Sequence, residues 1–191
     1  MVSIGWDRHG WQGIWEKAPG ILMAQAFALV IGLSSQLYVP LPFSPVPMST
    51  QTLAVLLAGA FLGARRGFLA VLLFLGEGAV GLPFFAGGAG LAHLLGPTGG
   101  FLLGFAPAAF LTGLFADRGW MGRLPRAAVA LLIGTAAVYA AGLPWLGAFV
   151  GAGSVVPLGL LPFLPGDLAK LTIASLLVRL AARRGTGSLR P

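Results

Sequence analysis

The sequence has no cysteine, two histidines and two lysines. The absence of cysteine excludes disulfide bonds, thiolate nucleophiles and cysteine-ligated metal sites. The histidines, His9 and His93, lie far apart in the sequence, which argues against a clustered zinc site. Neither lysine, Lys17 or Lys170, follows a glycine, so the chain has no Walker A motif for ATP phosphates. Nucleotide hydrolysis is therefore not expected of this polypeptide.

Charged residues are also scarce. They make up 9% of the 191 residues, against 57% hydrophobic residues, whereas a soluble domain carries roughly 25% charged residues. So few charges do not cover a water-facing surface, and the composition therefore indicates an integral membrane protein. The net charge of +7 does not indicate nucleic-acid binding, because the basic residues flank apolar segments as membrane anchors do.

Six apolar segments follow one another along the chain. A membrane-spanning helix needs about 20 apolar residues, or fewer where neighbouring helices shield it. The pattern predicts an all-α, polytopic membrane protein in which residues 1–191 form a single membrane domain. Residues 1–17 lack the continuous apolar core of a signal peptide and are predicted to lie at the interface, residues 18–182 form a six-helix bundle, and residues 183–191 form a basic tail. The predicted helices span about residues 18–38, 50–64, 67–80, 100–116, 127–150 and 165–182.

The distribution of charge predicts the orientation of the bundle. Every Lys and Arg except Lys170 lies in the N-terminal stretch, in the connections after helices two and four, or near the C-terminal end. In a bundle of six spans these positions and both termini lie on the same face of the membrane. The positive-inside rule predicts that this face is cytoplasmic. The other three connections, residues 39–49, 82–99 and 151–164, contain no charged residue and are rich in Pro and Gly. We expect them to fold over the outer mouth of the bundle, because irregular backbone at membrane depth must be buried in protein or line a cavity.

Two of the three charged residues outside this pattern, Asp167 and Lys170, lie at the start of the sixth helix. Their i, i+3 spacing places them on one helix face, and a carboxylate in the first turn suits the positive end of a helix. One interpretation is an ion pair that satisfies itself at the membrane interface. The other is a polar ligand site, since ionisable residues in membrane segments often face the bundle interior and mark substrate paths. The spacing leaves both interpretations open.

The third of these charged residues, Glu77, lies between Gly76 and Gly78 in the third helix, where a lipid-facing carboxylate would be costly. We expect it to point inward and accept hydrogen bonds from a ligand, or else to bond a neighbouring backbone group. His93, in an outer connection, is either a ligand contact or an ordinary loop histidine. The GPTGG segment, residues 96–100, enters the fourth helix. Its amides suit an anion or a carbonyl, and the competing interpretation is a tight packing turn.

Four stretches of the chain form a pattern together: PLPFSPVPMSTQTLAVLLAGAFLG (residues 40–63), GEGAVGLPFFAGG (76–88), GPTGGFLLGF (96–105) and PFLPGDLAK (162–170). In this order they resemble the BioY family, the biotin-binding S components of energy-coupling factor (ECF) transporters. The resemblance implies a six-helix S-component fold with a biotin pocket near the outer face, roofed by the loops after helices one, three and five. It also implies a transmembrane coupling protein and two ABC-type ATPases as partners.

The resemblance implies roles for individual residues. The family's GD-x-x-K motif falls on Asp167 and Lys170, so ligand contact is expected of both. The family uses small residues on helix one for docking to the coupling protein, and Ala24 and Ala28 match that pattern with a spacing that lets membrane helices approach closely. Where the family usually has tyrosine after GPTGG, this chain has Phe101, which lacks the phenol hydroxyl. The position of Glu77 varies in the family.

The chemistry of biotin agrees with this assignment. Biotin has a ureido ring with two N–H donors and a carbonyl, an apolar thioether ring and a carboxylate tail. Asp167 and Glu77 can accept from the N–H groups. Lys170 or His93 can meet the carbonyl or the carboxylate, and the sequence leaves open which residue meets which end. The remaining candidate contacts are one polar residue, Gln51, and four aromatic walls, Phe84, Phe85, Phe101 and Tyr139.

The sequence therefore predicts a biotin-capture subunit in the cytoplasmic membrane that needs no cofactor and relies on partner subunits for ATP hydrolysis. Alternatives of the same class are a stand-alone biotin transporter and an S component for another small vitamin. A remote alternative is a membrane enzyme that uses Asp167 and Glu77 as an acid–base pair on a lipid, although no nucleophile accompanies them. A channel-like or purely structural subunit would show no saturable ligand binding.

Overall fold

The computed structural model describes residues 20–186, with side chains up to residue 182. The predicted interfacial segment 1–17 and the end of the predicted basic tail lie outside the described residues. Within them the chain is predominantly helical. In chain order the α-helices are α1 (Gly20–Ser34), α2 (Gln51–Leu62), α3 (Ala64–Ala79), α4 (Gly90–Leu94), α5 (Gly99–Asp117), α6 (Leu124–Val150), α7 (Val155–Gly159) and α8 (Leu164–Thr186).

Each of the six predicted segments contains one long helix, namely α1, α2, α3, α5, α6 or α8, and the short α4 and α7 lie in the uncharged connections. In the described part of the chain, α5 and α6 are long and apolar enough to cross a membrane. The segment 152–159 and α8, bent by 48° at the break between them, make a third candidate span. Helices α1 and α2 are apolar but have only 15 and 12 residues, and α3, with 16 residues, is not among the candidate spans. A count of six spans therefore depends on how neighbouring helices shield these three shorter ones.

Helix α5 lies at the centre of the bundle, where it packs against α2, α3 and α6. The helices approach closely because glycines remove side chains from the contacts. A Cβ at Gly59 of α2 would overlap the Ala109 carbonyl of α5, and a Cβ at Gly113 of α5 would overlap the backbone at the start of α3. Small residues of this kind allow tight packing in lipid, where no hydrophobic force drives helices together.

The connections that carry basic residues lie at one end of the bundle. Asp117, at the end of α5, accepts a hydrogen bond of 3.0 Å from the backbone N–H of Ala64, and its negative charge suits the positive N-terminal end of α3. The 3₁₀ helix that follows α5, Trp120–Gly122, contacts α6 and α8. The arginines that follow α2 and α5 therefore lie at the same end of the bundle, as the charge pattern predicts.

The three uncharged connections lie at the opposite end. The first forms a small hairpin in which strand β1 (Tyr38–Val39) pairs antiparallel with β2 (Met48–Ser49). At its tip the Ser44 hydroxyl donates to the Leu158 carbonyl of α7 at 2.8 Å, which ties the first connection to the third. The second connection contains α4 and lies against α3 and α5. The connections therefore cover the bundle at the end where the sequence predicts an outer mouth.

The small-residue face of α1 is buried inside the chain. Ala24 and Ala28 are both 0% exposed, because α1 packs mainly against α3 and also against α2. The outward face of α1 carries large apolar side chains, among them Leu22, Leu29 and Leu33. Both residues are therefore covered by the chain's own helices, and their role in docking to a coupling protein stays a prediction. Their spacing serves close packing within the bundle, which the same pattern equally allows.

Candidate functional site

A cavity lies beneath the uncharged connections, between α2, α5, α6 and α8, and its empty volume, including space open to solvent, is about 590 Å³. Apolar side chains such as Phe105, Val138 and Phe163 make up much of the wall. In the described part of the chain, Asp167 and Lys170 are the charged residues that line it. An apolar cavity with a few convergent polar groups is the expected form of a site for a small, partly polar ligand.

Asp167 is the centre of the polar wall. It lies in the first turn of α8 and is 7% exposed. Its Oδ1 accepts from Lys170 Nζ at 3.0 Å, and its Oδ2 accepts from the Tyr139 hydroxyl on α6. Asp167 and Lys170 therefore form an ion pair with each other and also line the cavity. The two interpretations of their spacing, an ion pair and a polar ligand site, are compatible. Lys170 keeps two further N–H donors, and the carboxylate keeps unused lone pairs.

Gln51, the first residue of α2, also lines the cavity and is 2% exposed. Its Nε2 donates to the Phe84 carbonyl at 2.9 Å, and its Oε1 accepts from the Ser49 hydroxyl at 3.3 Å. One amide N–H remains for a ligand. Gln51 therefore ties α2 to two connections while it presents a polar group to the cavity.

His93, in the short α4, lies at the mouth of the cavity. Its ring stacks on Phe85, with centroids 5.6 Å apart and planes 19° apart, and its Nε2 lies 3.3 Å from the Thr98 hydroxyl. Burial lowers the pKa of the His93 imidazole below its ordinary value of 6.5, so the ring is neutral at neutral pH. His93 therefore offers a ligand a neutral hydrogen-bonding ring and not a positive charge.

Of the four predicted aromatic walls, Phe101 and Tyr139 line the cavity, edge to face with centroids 6.2 Å apart. Phe84 and Phe85 are not among the residues that line it, which corrects their prediction as walls. A Cβ at Gly32 would overlap the Phe84 ring, and a Cβ at Gly78 would overlap the Phe85 ring. Both rings fill notches that glycines leave on α1 and α3, and Phe85 supports His93 from behind.

Glu77 is not brought to the cavity. Its Oε1 accepts from the Gln25 side-chain amide on α1, and its Oε2 is buried without a hydrogen-bond partner among the described residues. The inward orientation of Glu77 thus directs it to a neighbouring helix. Its partner is a side chain, whereas the sequence suggested either a ligand or a backbone group.

The GPTGG segment favours the packing interpretation. A Cβ at Gly99 would overlap the Leu94 carbonyl, and a Cβ at Gly100 would overlap the Trp145 side chain. Thr98 is the member of this segment that lines the cavity. Sequence reasoning also missed Thr135, which lines the cavity and donates to the Leu131 carbonyl at 3.0 Å. Its position four residues before Tyr139, on the same helix face, is the signal that would have found it.

A second, more open cavity of about 850 Å³, which we call the vestibule, lies between the first and second connections. Tyr38, Ser44 and Gly87 are among its lining residues, and none of the lining residues is an Asp, Glu, Lys or Arg. Four residues line both cavities and so form what we call the neck: Pro47, Ala86, His93 and Thr98. A ligand that reaches the inner cavity from the vestibule passes this neck.

No group of three or more potential metal ligands from His, Cys, Asp and Glu occurs in the part of the chain that the structure describes. The polar side chains that line the cavity are the Asp167–Lys170 pair, Gln51, Tyr139, His93 and several hydroxyl residues, Ser49, Thr52, Thr98 and Thr135.

A family model described as the BioY family matches residues 12–186. The chain belongs to the BioY family. Among its relatives is the "Probable biotin transporter BioY" of Pyrococcus horikoshii, 37% identical over 159 residues that cover 83% of this chain and 93% of the relative. The "Biotin transporter BioY" of Rhodobacter capsulatus is 41% identical over 174 residues, covering 82% of this chain and 88% of the relative. These relatives are transporters.

A solved structure has a similar fold, the crystal structure at 2.1 Å of the S-component for biotin from an ECF-type ABC transporter. The similarity has a TM-score of 0.77 at 27% sequence identity, and it covers 86% of this chain and 90% of that chain. The helical bundle described above is therefore a BioY S-component fold.

Proposed function

We propose that this chain is the substrate-binding S component of an ECF-type biotin transporter and takes part in biotin uptake. The observation that carries the proposal is the buried Asp167–Lys170–Tyr139 cluster on the wall of a small-molecule cavity, in a chain whose family relatives are biotin transporters. A buried ion pair in an apolar wall is costly to desolvate, and recognition of a polar ligand group accounts for its presence there.

The ureido ring of biotin is the group that this cluster fits. It presents two N–H donors beside a carbonyl acceptor, and Asp167 and Lys170 present an acceptor and a donor side by side, with Nζ and Oδ1 3.0 Å apart. A ligand carboxylate at the same place would meet Asp167 as a like charge. We therefore place the ureido ring at Asp167 and Lys170, with the apolar thioether ring against Phe101 and Tyr139, and the carboxylate tail towards the neck.

We also propose that α1, α2, α3, α5, α6 and the α7–α8 pair make six membrane spans of one domain, with both termini cytoplasmic, in the cell membrane. The shared end of the basic connections supports this orientation, and the burial of α2 among its neighbours supports a span of only 12 residues. Because the chain has no native cysteine, single cysteines report sidedness cleanly. An impermeant maleimide should label Ser44→Cys from outside intact cells and Gly122→Cys only after lysis, and the reverse pattern would invert the topology.

The partners that we propose are a transmembrane coupling protein and two ABC-type ATPases, with biotin as the substrate and no cofactor. The absence of a Walker A lysine from the sequence and the similarity to an S-component of an ECF-type ABC transporter support this. Biotin uptake in a biotin-auxotrophic host should require co-expression of the coupling protein and ATPases. Full uptake by the chain alone would instead make it a stand-alone transporter.

Calorimetry of the purified protein with biotin, thiamine and riboflavin tests the substrate. We expect saturable binding of biotin at one site and no heat from the other two vitamins. Binding of another vitamin without biotin would keep the fold and replace the substrate. Silence towards all three would favour a structural subunit.

A further inference from the structure

The second connection, residues 82–98, carries three of the four neck residues. Its start is fixed by Phe84 and Phe85, which fill the glycine notches on α1 and α3. Its end continues into α5, where the Thr98 carbonyl accepts from the Phe101 and Leu102 N–H groups, and one side chain of α6 also bonds it. The indole Nε1 of Trp145 donates to the Gly96 carbonyl at 2.9 Å. Trp145 is half-buried and lines neither the cavity nor the vestibule.

The backbone around Gly96 is shaped to receive this indole. A Cβ at Gly100 would overlap the Trp145 side chain, and a Cβ at Gly99 would come within 3.3 Å of Nε1. The Gly96 carbonyl also accepts from the Gly99 N–H at 3.0 Å. The turn that leads into α5 is therefore built on the side chain of α6.

This anchored turn lies next to two of the neck residues, His93 and Thr98. Gly96 lies between His93 and Thr98, whose Nε2 and Oγ1 are 3.3 Å apart. A movement of residues 93–98 away from α6 would break the bond from Trp145 to Gly96, because the acceptor belongs to that segment.

We propose that Trp145 is a positioning residue that sets the rate at which ligand passes the neck, through its hold on residues 93–98. The proposal rests on the proposed function, since it needs a ligand in the inner cavity. Because Trp145 touches neither cavity, a bound ligand neither adds to this bond nor replaces it. Its loss therefore accelerates entry and exit together and leaves the affinity unchanged.

Stopped-flow measurement of biotin binding to Trp145→Phe tests this directly. Phenylalanine keeps an aromatic ring and removes the N–H donor. Since one hydrogen bond contributes about 0.5–1.5 kcal/mol net, we expect the association and dissociation rates each to rise about threefold to tenfold, with Kd within twofold of wild type. Trp120→Phe, at the opposite end of the bundle, is the matched control and should change neither rate.

Two other kinetic outcomes would overturn the proposal. Unchanged rates would mean that the bond does not limit passage. A raised Kd with an unchanged association rate would mean that Trp145 supports the shape of the cavity. If Trp145→Phe does not yield folded protein, Trp145→Met, which also lacks the donor, is measured in the same way.

Hydrogen–deuterium exchange separates this proposal from the proposed function, because it needs no ligand. The Leu95 and Gly96 amides bond to the Leu91 and His93 carbonyls, so a released segment should exchange faster. We expect faster exchange in residues 90–98 of Trp145→Phe and unchanged exchange there in Trp120→Phe. A wild-type protein that binds no biotin would refute the proposed function alone, whereas unchanged exchange in Trp145→Phe would refute the anchor.

Discussion

Replacing Asp167 by asparagine tests the polar wall most sharply. The carboxylate holds Lys170 Nζ at 3.0 Å and the Tyr139 hydroxyl, and it is the group that we expect to accept from the ureido N–H donors. An asparagine at this position would keep the size of the side chain and one oxygen acceptor. The substitution therefore removes the negative charge and little of the shape.

The expected loss follows from the kind of hydrogen bond. Bonds to charged groups contribute about 1.5–3 kcal/mol, against about 0.5–1.5 kcal/mol for neutral ones. Losing one or two charge-assisted bonds to the ligand thus costs about 1–3 kcal/mol, which corresponds to a Kd roughly 5-fold to 150-fold higher. The protein is also affected, because Lys170 is left 13% exposed without its carboxylate partner, and an unpaired buried charge is destabilising.

Calorimetry with biotin on the detergent-purified variant gives Kd, and the Tm without ligand separates binding from stability. Asp117→Asn is the matched control, since Asp117 lies at the opposite end, where it bonds the Ala64 N–H. It is expected to lower Tm slightly and to leave Kd within twofold of wild type. An Asp167→Asn variant that binds biotin as tightly as wild type would refute the reasoning, and Asp167 would then be a purely structural partner of Lys170.

Three further predictions concern residues around the cavity. Glu77 lies outside the cavity, and Glu77→Gln keeps an oxygen that accepts from the Gln25 amide on α1. Calorimetry should therefore show a biotin Kd within twofold of wild type, whereas a tenfold higher Kd would indicate that Glu77 contacts the ligand. Gly142→Ala should raise Kd at least tenfold, because the added methyl would overlap the Phe101 ring and push it into the cavity, whereas Gly76→Ala, where a Cβ meets nothing within 4 Å, should not. Folding lowers the pKa of His93 below its ordinary value of 6.5, so protonation of its ring disfavours the folded state. The contribution of His93 to stability is therefore full above pH 6.5 and is lost as the pH falls below it. His93→Gln should reduce the fall in Tm between about pH 7 and 5, and an unchanged fall would contradict this prediction.

The polar wall could be predicted from the sequence because its two charged residues are close together in the chain. Asp167 and Lys170 lie three residues apart at the start of a helix, and that spacing alone places them on one face. Their scarcity as charges in an apolar chain marked them as inward-facing. Tyr139 was named only as an apolar wall. Its hydroxyl bonds Asp167 from another helix, and no local pattern reports a contact between residues so far apart in the chain.

The errors concern residues whose surroundings are set by distant packing. Glu77 points inward as expected, but the rotation of α3 against α1 directs it to Gln25. Phe84 and Phe85 are drawn from the cavity by notches at glycines on two other helices. In each case the residue type predicted burial correctly, and the choice of neighbour depended on how helices pack in three dimensions.

The small-residue pattern on α1 shows the same limit in another form. The spacing of Ala24 and Ala28 favours close helix contact but does not say whether the second helix belongs to this chain. In the structure this face of α1 packs against α3 and α2 of the same chain. The docking of α1 to a coupling protein stays a prediction.

A crystal structure of the protein with biotin bound tests the assignment of the binding site. We expect the ureido nitrogens within hydrogen-bonding distance of the Asp167 carboxylate, the ureido oxygen at Lys170, and the carboxylate tail directed to the neck. Biotin outside the cavity between α2, α5, α6 and α8 would contradict the assignment of the site. Biotin inside the cavity with its carboxylate on Lys170 would contradict the proposed orientation.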